Sequence, residues 1–210
     1  MSEPPALPVD GFRRVRTRED SAWVLPFLTA RTVTALYEEA GPDPLAPLRP
    51  PEMPYGLRSR FTTSVSLFPR VPGGTLPEAL LDVATRHAAG ELADAFAADG
   101  LLDVERVDAD RIDLPGGPPL RTVEFRAGYP LDGEATLGQP GRPVLAVGVL
   151  AGLWPAEAGF EMAGGTFPIE DLEAVARRAG TALATDATLT VSPVEDRALV
   201  REHVRAVATR

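Results

Sequence analysis

The sequence predicts an α+β domain, and three stretches carry that prediction. Residues 60–68 (RFTTSVSLF) alternate: Phe61, Thr63, Val65 and Leu67 share one face and Thr62, Ser64 and Ser66 the other, the pattern of a half-buried strand. Residues 75–99 repeat Leu80, Ala84, Ala88, Leu92, Ala95 and Phe96 at helical spacing. Residues 144–154 (VLAVGVLAGLW) are apolar on both faces, so a central strand covered on both sides is expected there.

The remaining elements follow in order. Residues 1–10 are proline-rich and expected to be a flexible N-terminus, and 11–210 a single domain. Residues 12–18 and 29–37 suit strands; in the second, Arg31, Val33, Ala35 and Tyr37 oppose Thr32, Thr34 and Leu36. The loop 42–56 contains Pro42, Pro44, Pro47, Pro50, Pro51 and Pro54, each fixing φ and removing a donor. It is expected to be an extended surface connection, a proline-rich docking ligand being the alternative. Gly73-Gly74 breaks the strand before the long helix. Thr75 and Glu78 form a capping box with Pro77 in the first turn, and Gly100 is the natural stop. Two strands, 102–114 and 120–129, flank the turn PGGPP. A short strand at 160–163 is expected to pair with 144–154. A second helix begins near Pro168 with Ile169, Leu172, Val175, Ala176, Ala179 and Leu183 as its stripe, and a strand at 188–191 follows. A last helix starts at Ser192, with Glu195 closing a capping box and Leu199, Val200, His203, Val204 and Val207 facing inward. GGTLP from Gly73 and GGTFP from Gly164 open two similar stretches 91 residues apart, read as shared helix-start chemistry rather than a duplication.

Composition narrows the chemistry. The 210 residues contain no Cys, which excludes disulfides, thiolate catalysis and Cys-ligated metal. All 21 basic residues are Arg; Lys and Asn are absent, so Schiff-base chemistry and N-glycosylation are out. With the net charge of −9, this bias fits a GC-rich genome of a halophilic archaeon or an actinobacterium. No apolar run reaches the roughly 20 residues of a membrane span, and the start MSEPPALPVDGF is not a secretory signal. A cytoplasmic protein is expected. Charge is uneven: residues 1–70 carry +1 and residues 71–210 carry −10.

Candidate sites are few. Arg13, Arg14, Arg16 and Arg18 are either a nucleic-acid or phosphate contact or, the preferred reading, the solvated edge of a strand with Phe12 and Val15 buried. His87 with Glu91 one turn on has the layout of a general base beside its orienting carboxylate; a surface ion pair looks the same. His203 carries the same ambiguity. There is no G-x-S-x-G elbow, G-x-G-x-x-G loop or P-loop, and no cofactor is implied. Gly164-Gly165 before a helix could take an anion, but Glu170 and Asp171 would repel it. Asp103, Asp108, Asp110 and Asp113, interleaved with Arg106 and Arg111, read as a solvated face rather than a cation site. Trp23, Trp154, Phe160 and Phe167 are the aromatic candidates for a binding groove, with core packing as the default.

The stretches RFTTSVSLFP, the helix from Leu76, RTVEFRAGY, VLAVGVLAGLW and the helix from Pro168, covering about residues 60–184, resemble the PsbP/DcrB-like superfamily in element order. That resemblance implies a mainly antiparallel sheet flanked by helices, a PsbP-like sandwich, and mostly non-enzymatic roles in assembly and protein binding. Its lipoprotein members are no guide, since no Cys is present to carry a lipid. The phrases AFAADG, VDADRIDLP and AGGTFP also resemble halophilic-archaeal sequences. The expected function is thus a soluble module binding another protein, with Trp154, Phe160, Phe167, Arg14 and Arg16 as candidate contacts. The alternatives are a small-molecule enzyme using His87 and nearby carboxylates, or a nucleic-acid-associated factor using Arg13–Arg18.

Overall fold

The computed structural model describes residues 4–5, 11–25, 28–41, 43, 45–69, 78–114, 116–157 and 159–210. The expected capping box at Thr75, with Pro77 and Gly73-Gly74, and most of the N-terminal decapeptide lie outside them; of the latter, Pro4 is buried. Among the described residues, seven strands and four α-helices follow in the order β1 (Phe12–Leu25), β2 (Leu28–Glu39), β3 (Ser59–Phe68), α1 (Glu78–Ala98), β4 (Leu102–Asp113), β5 (Pro119–Pro130), α2 (Gly133–Leu137), β6 (Val144–Ala156), β7 (Gly159–Pro168), α3 (Leu172–Ala179) and α4 (Pro193–Ala208). The strands form one sheet in the order β1-β2-β3-β7-β6-β5-β4, antiparallel at every pairing. It is two meanders, β1–β3 and β4–β7, joined where β7 pairs with β3.

The apolar run at β6 is buried along most of its length, as a strand covered on both faces must be. Successive side chains on a strand point to opposite faces, and β6 uses this to hold two helices. Leu153 clusters with Leu81 of α1, while its neighbour Trp154 clusters with Val204 and Val207 of α4. The two long helices therefore lie on opposite faces. Leu81 also meets Ala30 of β2, Leu67 of β3 and Phe160 and Met162 of β7. At its other end, Asp99 lies 3.9 Å from Arg16 and 3.8 Å from Arg18 of β1. Because α1 also packs on β4, β5 and β6, the sheet curves around it and both edge strands reach it. Phe96 fixes the centre, edge-on to Phe61 at 6.1 Å and to Phe125 at 6.0 Å.

Five expectations change. The proline-rich loop is not a surface connection: Leu45, Leu48, Met53, Tyr55 and Leu57 are buried in the main core. Prolines forbid helix and sheet but not burial, and they bring no N–H that would need a partner. The loop's polar ends are met at Glu38, whose Oε1 accepts from Arg49 Nη1 and Gly56 N, both at 2.6 Å. The partner of β6 is longer than residues 160–163 and runs through Gly164, Gly165 and Pro168. The second helix therefore starts at Leu172, where Asp171 Oδ1 accepts from Ala174 N at 2.7 Å, so GGTFP is strand and not a helix start. Residues 188–191 form no strand; they run outside the sheet, where Thr190 O accepts from Arg58 Nη2 at 2.7 Å. In α4 the N-cap Ser192 makes no side-chain cap hydrogen bond, and Asp196 rather than Glu195 reaches back, its Oδ2 accepting from Ser192 N at 3.2 Å, while Leu199 faces solvent at 56% exposure.

Glycines let the central layers approach. A Cβ on Gly164 would stand 2.3 Å from Leu150 O and 2.5 Å from the Phe61 ring, and one on Gly152 would stand 2.3 Å from Val204 Cγ1. A carbonyl in a sheet ladder cannot rotate away as a side chain can. Gly164→Ala is expected to lose about 1–3 kcal/mol of stability in urea unfolding. Gly152→Ala is expected to lose less, because Val204 can shift with α4.

Candidate functional site

The face under α4 gathers polar groups that sequence alternation had assigned to solvent. Thr62 and Arg60 share that face of β3, and both are buried, at 0% and 7% exposure. The half-buried strand expected at 60–68 is thus buried on both faces for most of its length. Helix α4 packs on β6 and β7 and is tied to the start of β3 by an Arg58–Asp196 ion pair at 3.2 Å. Arg60 Nη1 donates to Ser59 O at 2.9 Å and Thr166 O at 3.3 Å, and its guanidinium stands 5.4 Å from the Phe12 ring. Burial lowers its pKa to about 10.

His203 faces this cluster from α4. It is 3% exposed, and neither ring nitrogen has a hydrogen-bond partner among the described residues; nor does Thr62 Oγ1. Burial first, then the nearby Arg60 charge, lower the His203 pKa to about 4; the Phe61 backbone beside the ring works the other way, short of hydrogen-bonding geometry. The ring is neutral at pH 7. This is the environment of a packed histidine rather than of a base poised near neutrality.

A second polar cluster crosses from α4 to the β4 edge. Arg197 Nε donates to Glu124 Oε2 at 2.7 Å and lies 3.9 Å from Asp108, and Arg201 lies 3.5 Å from Asp110. These residues line a cleft of about 10 Å³, room for a single water. Its carboxylates face arginines, so their charge is already answered. A similar void of about 10 Å³ lies beneath α1 against Leu153 and Met162. These are the two best-formed cavities among the described residues, and no group of three His, Asp or Glu among those residues is arranged to hold a metal.

The remaining sequence candidates separate. Trp154 (3% exposed) packs under α4, its Nε1 donating to Glu161 Oε2 at 3.2 Å. Phe167 is buried beside Leu150 and Val200 on that same side, while Phe160 belongs to the α1 cluster. The three therefore line no common groove, and the Trp23 side chain lies outside the described residues. Arg14 and Arg16 are exposed on β1, with Phe12 and Val15 half-buried. Arg13 reaches Glu38 at 3.3 Å, Arg18 reaches Asp20 at 2.5 Å, and Arg16 and Arg18 both face Asp99. Carboxylates thus stand where a phosphate would have to bind. His87 is exposed on α1, 4.0 Å from Glu91, and lines neither cavity. Asp103, Asp108, Asp110 and Asp113 are all exposed along β4, on both of its faces.

Comparison with family models, curated proteins and solved structures returns no match for this chain. The geometry stands by itself. The residues that sequence reasoning did not single out are Arg60 and Glu38, and Glu170 was read only as repelling an anion. Glu170 Oε1 accepts from Ala146 N at 2.6 Å and from Arg178 Nη2 at 2.9 Å, and the Arg178 hydrogen bonds hold its carboxyl below the usual range. Each of the three also has a partner from a segment distant in sequence or outside its own element, Thr166 for Arg60, Gly56 for Glu38 and Ala146 for Glu170, which no local spacing signals.

His203 gives a pH dependence with a definite sign. Its pKa in the fold is below the unfolded value, so the unfolded chain takes up a proton that the fold excludes. The stability is complete above about pH 6.5 and falls as pH drops toward about 4, by on the order of 3 kcal/mol in total. Urea unfolding of wild type and His203→Leu between pH 7 and 4 is expected to show a shallower loss in the variant. Equal slopes would mean that His203 is not the group responsible.

Proposed function

We propose that this chain is a non-enzymatic, cytoplasmic module that binds another protein or supports its assembly, built on the plan of a PsbP-like sandwich. The observation that carries this reading is the size of its cavities. Each holds about 10 Å³, whereas small-molecule sites run to about 300–1,000 Å³. Neither of these two cavities among the described residues is lined by His87 or His203, which weighs against the enzyme reading. The curved antiparallel sheet with α1 and α4 on opposite faces supports the PsbP-like plan. The large apolar side chains exposed among the described residues are few: Val194 and Leu199 on α4 at 81% and 56%, Leu102 and Val107 on β4 at 40% and 52%, Val83 on α1 and Phe68 on β3. Recognition through this surface would be largely polar.

The test joins affinity capture to cross-linking. Tagged protein is expected to retain a stoichiometric protein whose cross-links converge on one contiguous surface, and charge substitutions on that surface should release it. A partner-free protein whose Tm rises by several degrees with a metabolite, and loses that response in His87→Ala, would replace this reading with the enzyme one.

A further inference from the structure

The two edges of the sheet carry opposite charge. β1 has Arg13, Arg14, Arg16 and Arg18 against Glu19 and Asp20, a net of +2; β4 has Asp103, Glu105, Asp108, Asp110 and Asp113 against Arg106 and Arg111, a net of −3. Among the described residues each strand pairs on one side only, β1 with β2 and β4 with β5. Both contain stretches without a bulge, residues 16–23 of β1 and 108–113 of β4, that can extend a ladder. We propose that β1 of one copy adds antiparallel to β4 of a second copy, head to tail, through a charge-selected edge contact.

The geometry favours this pairing over the others. Joining β1 to β1 or β4 to β4 brings like net charges together. The first and last of seven antiparallel strands point the same way, so a copy turned over about an axis across the strands presents β1 antiparallel to β4. Turning it over also exchanges faces, so the α1 face of one copy continues the α4 face of the next. Arg16 and Arg18 lie on the α1 face, as their approach to Asp99 requires. Asp108 and Asp110 lie on the α4 face, beside Arg197 and Arg201. The turned-over copy thus brings the two arginines to the same side as the two aspartates. Apart from Arg18–Asp20 at 2.5 Å within β1 itself, their contacts within the chain are 3.5–3.9 Å long and at least partly solvent-exposed, and such pairs hold weakly. Charges and bulges on an edge discourage indiscriminate pairing, and opposite charges select one partner from the rest. A contact of this kind is heterologous and leaves one edge open at each end, so it builds short chains of copies rather than a closed dimer. The proposal is independent of the binding-module reading, since a protein can self-associate with or without a different partner.

Sedimentation of the wild-type protein over a concentration series decides it. Shortening the Debye length from above 10 Å to about 3 Å, by moving from about 0.05 M to about 1 M salt, is expected to weaken the association about tenfold or more. The double variants Arg16→Glu/Arg18→Glu and Asp108→Arg/Asp110→Arg each have two edges of one sign, so each alone should be monomeric. An equimolar mixture of the two should associate again. A wild type that stays monomeric at low salt overturns the proposal, as does association that either variant retains alone. A mixture of cooperatively melting variants that stays monomeric overturns it too. The wild-type salt series decides the matter even if a variant fails to fold.

Discussion

The ladder between β3 and β7 joins residues far apart in the chain: Ser59 N donates to Thr166 Oγ1 at 3.1 Å across 107 residues of sequence. On one side of it lies the meander β1–β3, on the other β4–β7, and each would expose a further open edge without the other. Thr166 Oγ1 also donates to Leu57 O at 2.7 Å, so the same hydroxyl ties the end of the proline-rich loop to the ladder. Gly164 and Gly165 sit at this seam because Leu150 O, the Phe61 ring, Ser59 O and the Arg60 side chain leave no room for a Cβ. Closing so long a loop costs entropy before any packing can offset it. The offset comes from α1 seating in the concave face and α4 on the reverse.

The two faces do different jobs. Under α1 the core is almost wholly apolar, from Leu81 and Phe96 to Phe125 and Val149. Under α4 it mixes Trp154, Val204 and Val207 with Arg60, Thr62 and His203. A buried polar atom without a partner typically costs about 1–3 kcal/mol, and among the described residues Thr62 Oγ1 and both His203 nitrogens are such atoms. Arg58–Asp196 and Arg197–Glu124 hold the helix to the sheet from opposite sides, supplying polar contacts around this mixed core.

The molecule's chemistry follows from this arrangement. Its arginines are mostly spent on carboxylates of the chain itself, at Glu38, Asp82, Asp196, Glu124 and Glu170. Guanidinium groups, planar and always charged, suit such fixed two-point contacts better than lysine ammonium groups would. Few large apolar side chains are exposed among the described residues, two of them on α4 and two on β4.

Most elements were legible in the sequence because their signals are local: the two-residue period of 60–68, the helical stripe of α1, the apolar run of β6 and the glycine stop at Gly100. The candidate aromatics were legible as large buried groups but not as belonging to two faces, since one residue of register decides the face and no local signal sets that register. The depth of burial was not legible either. Alternation assigned Thr62 and Ser64 to solvent, and only α4, arriving about 130 residues later, buries Arg60 and Thr62. Likewise the prolines of 42–56 kept α-helix and strand out of the described part of the loop, leaving one 3-10 turn at Ala46–Leu48, yet whether Leu48 and Tyr55 lay in water or in the core depended on Glu38 and Tyr129, whose OH donates to Tyr55 O at 2.9 Å. The sequence by itself determined most of the strands and helices, because backbone preference and periodicity act within a few residues, but not the reach of β7 through Gly164-Gly165 or the irregular run at 188–191. Only the tertiary structure decided what each face touches, because burial is set by whichever distant element comes to cover it.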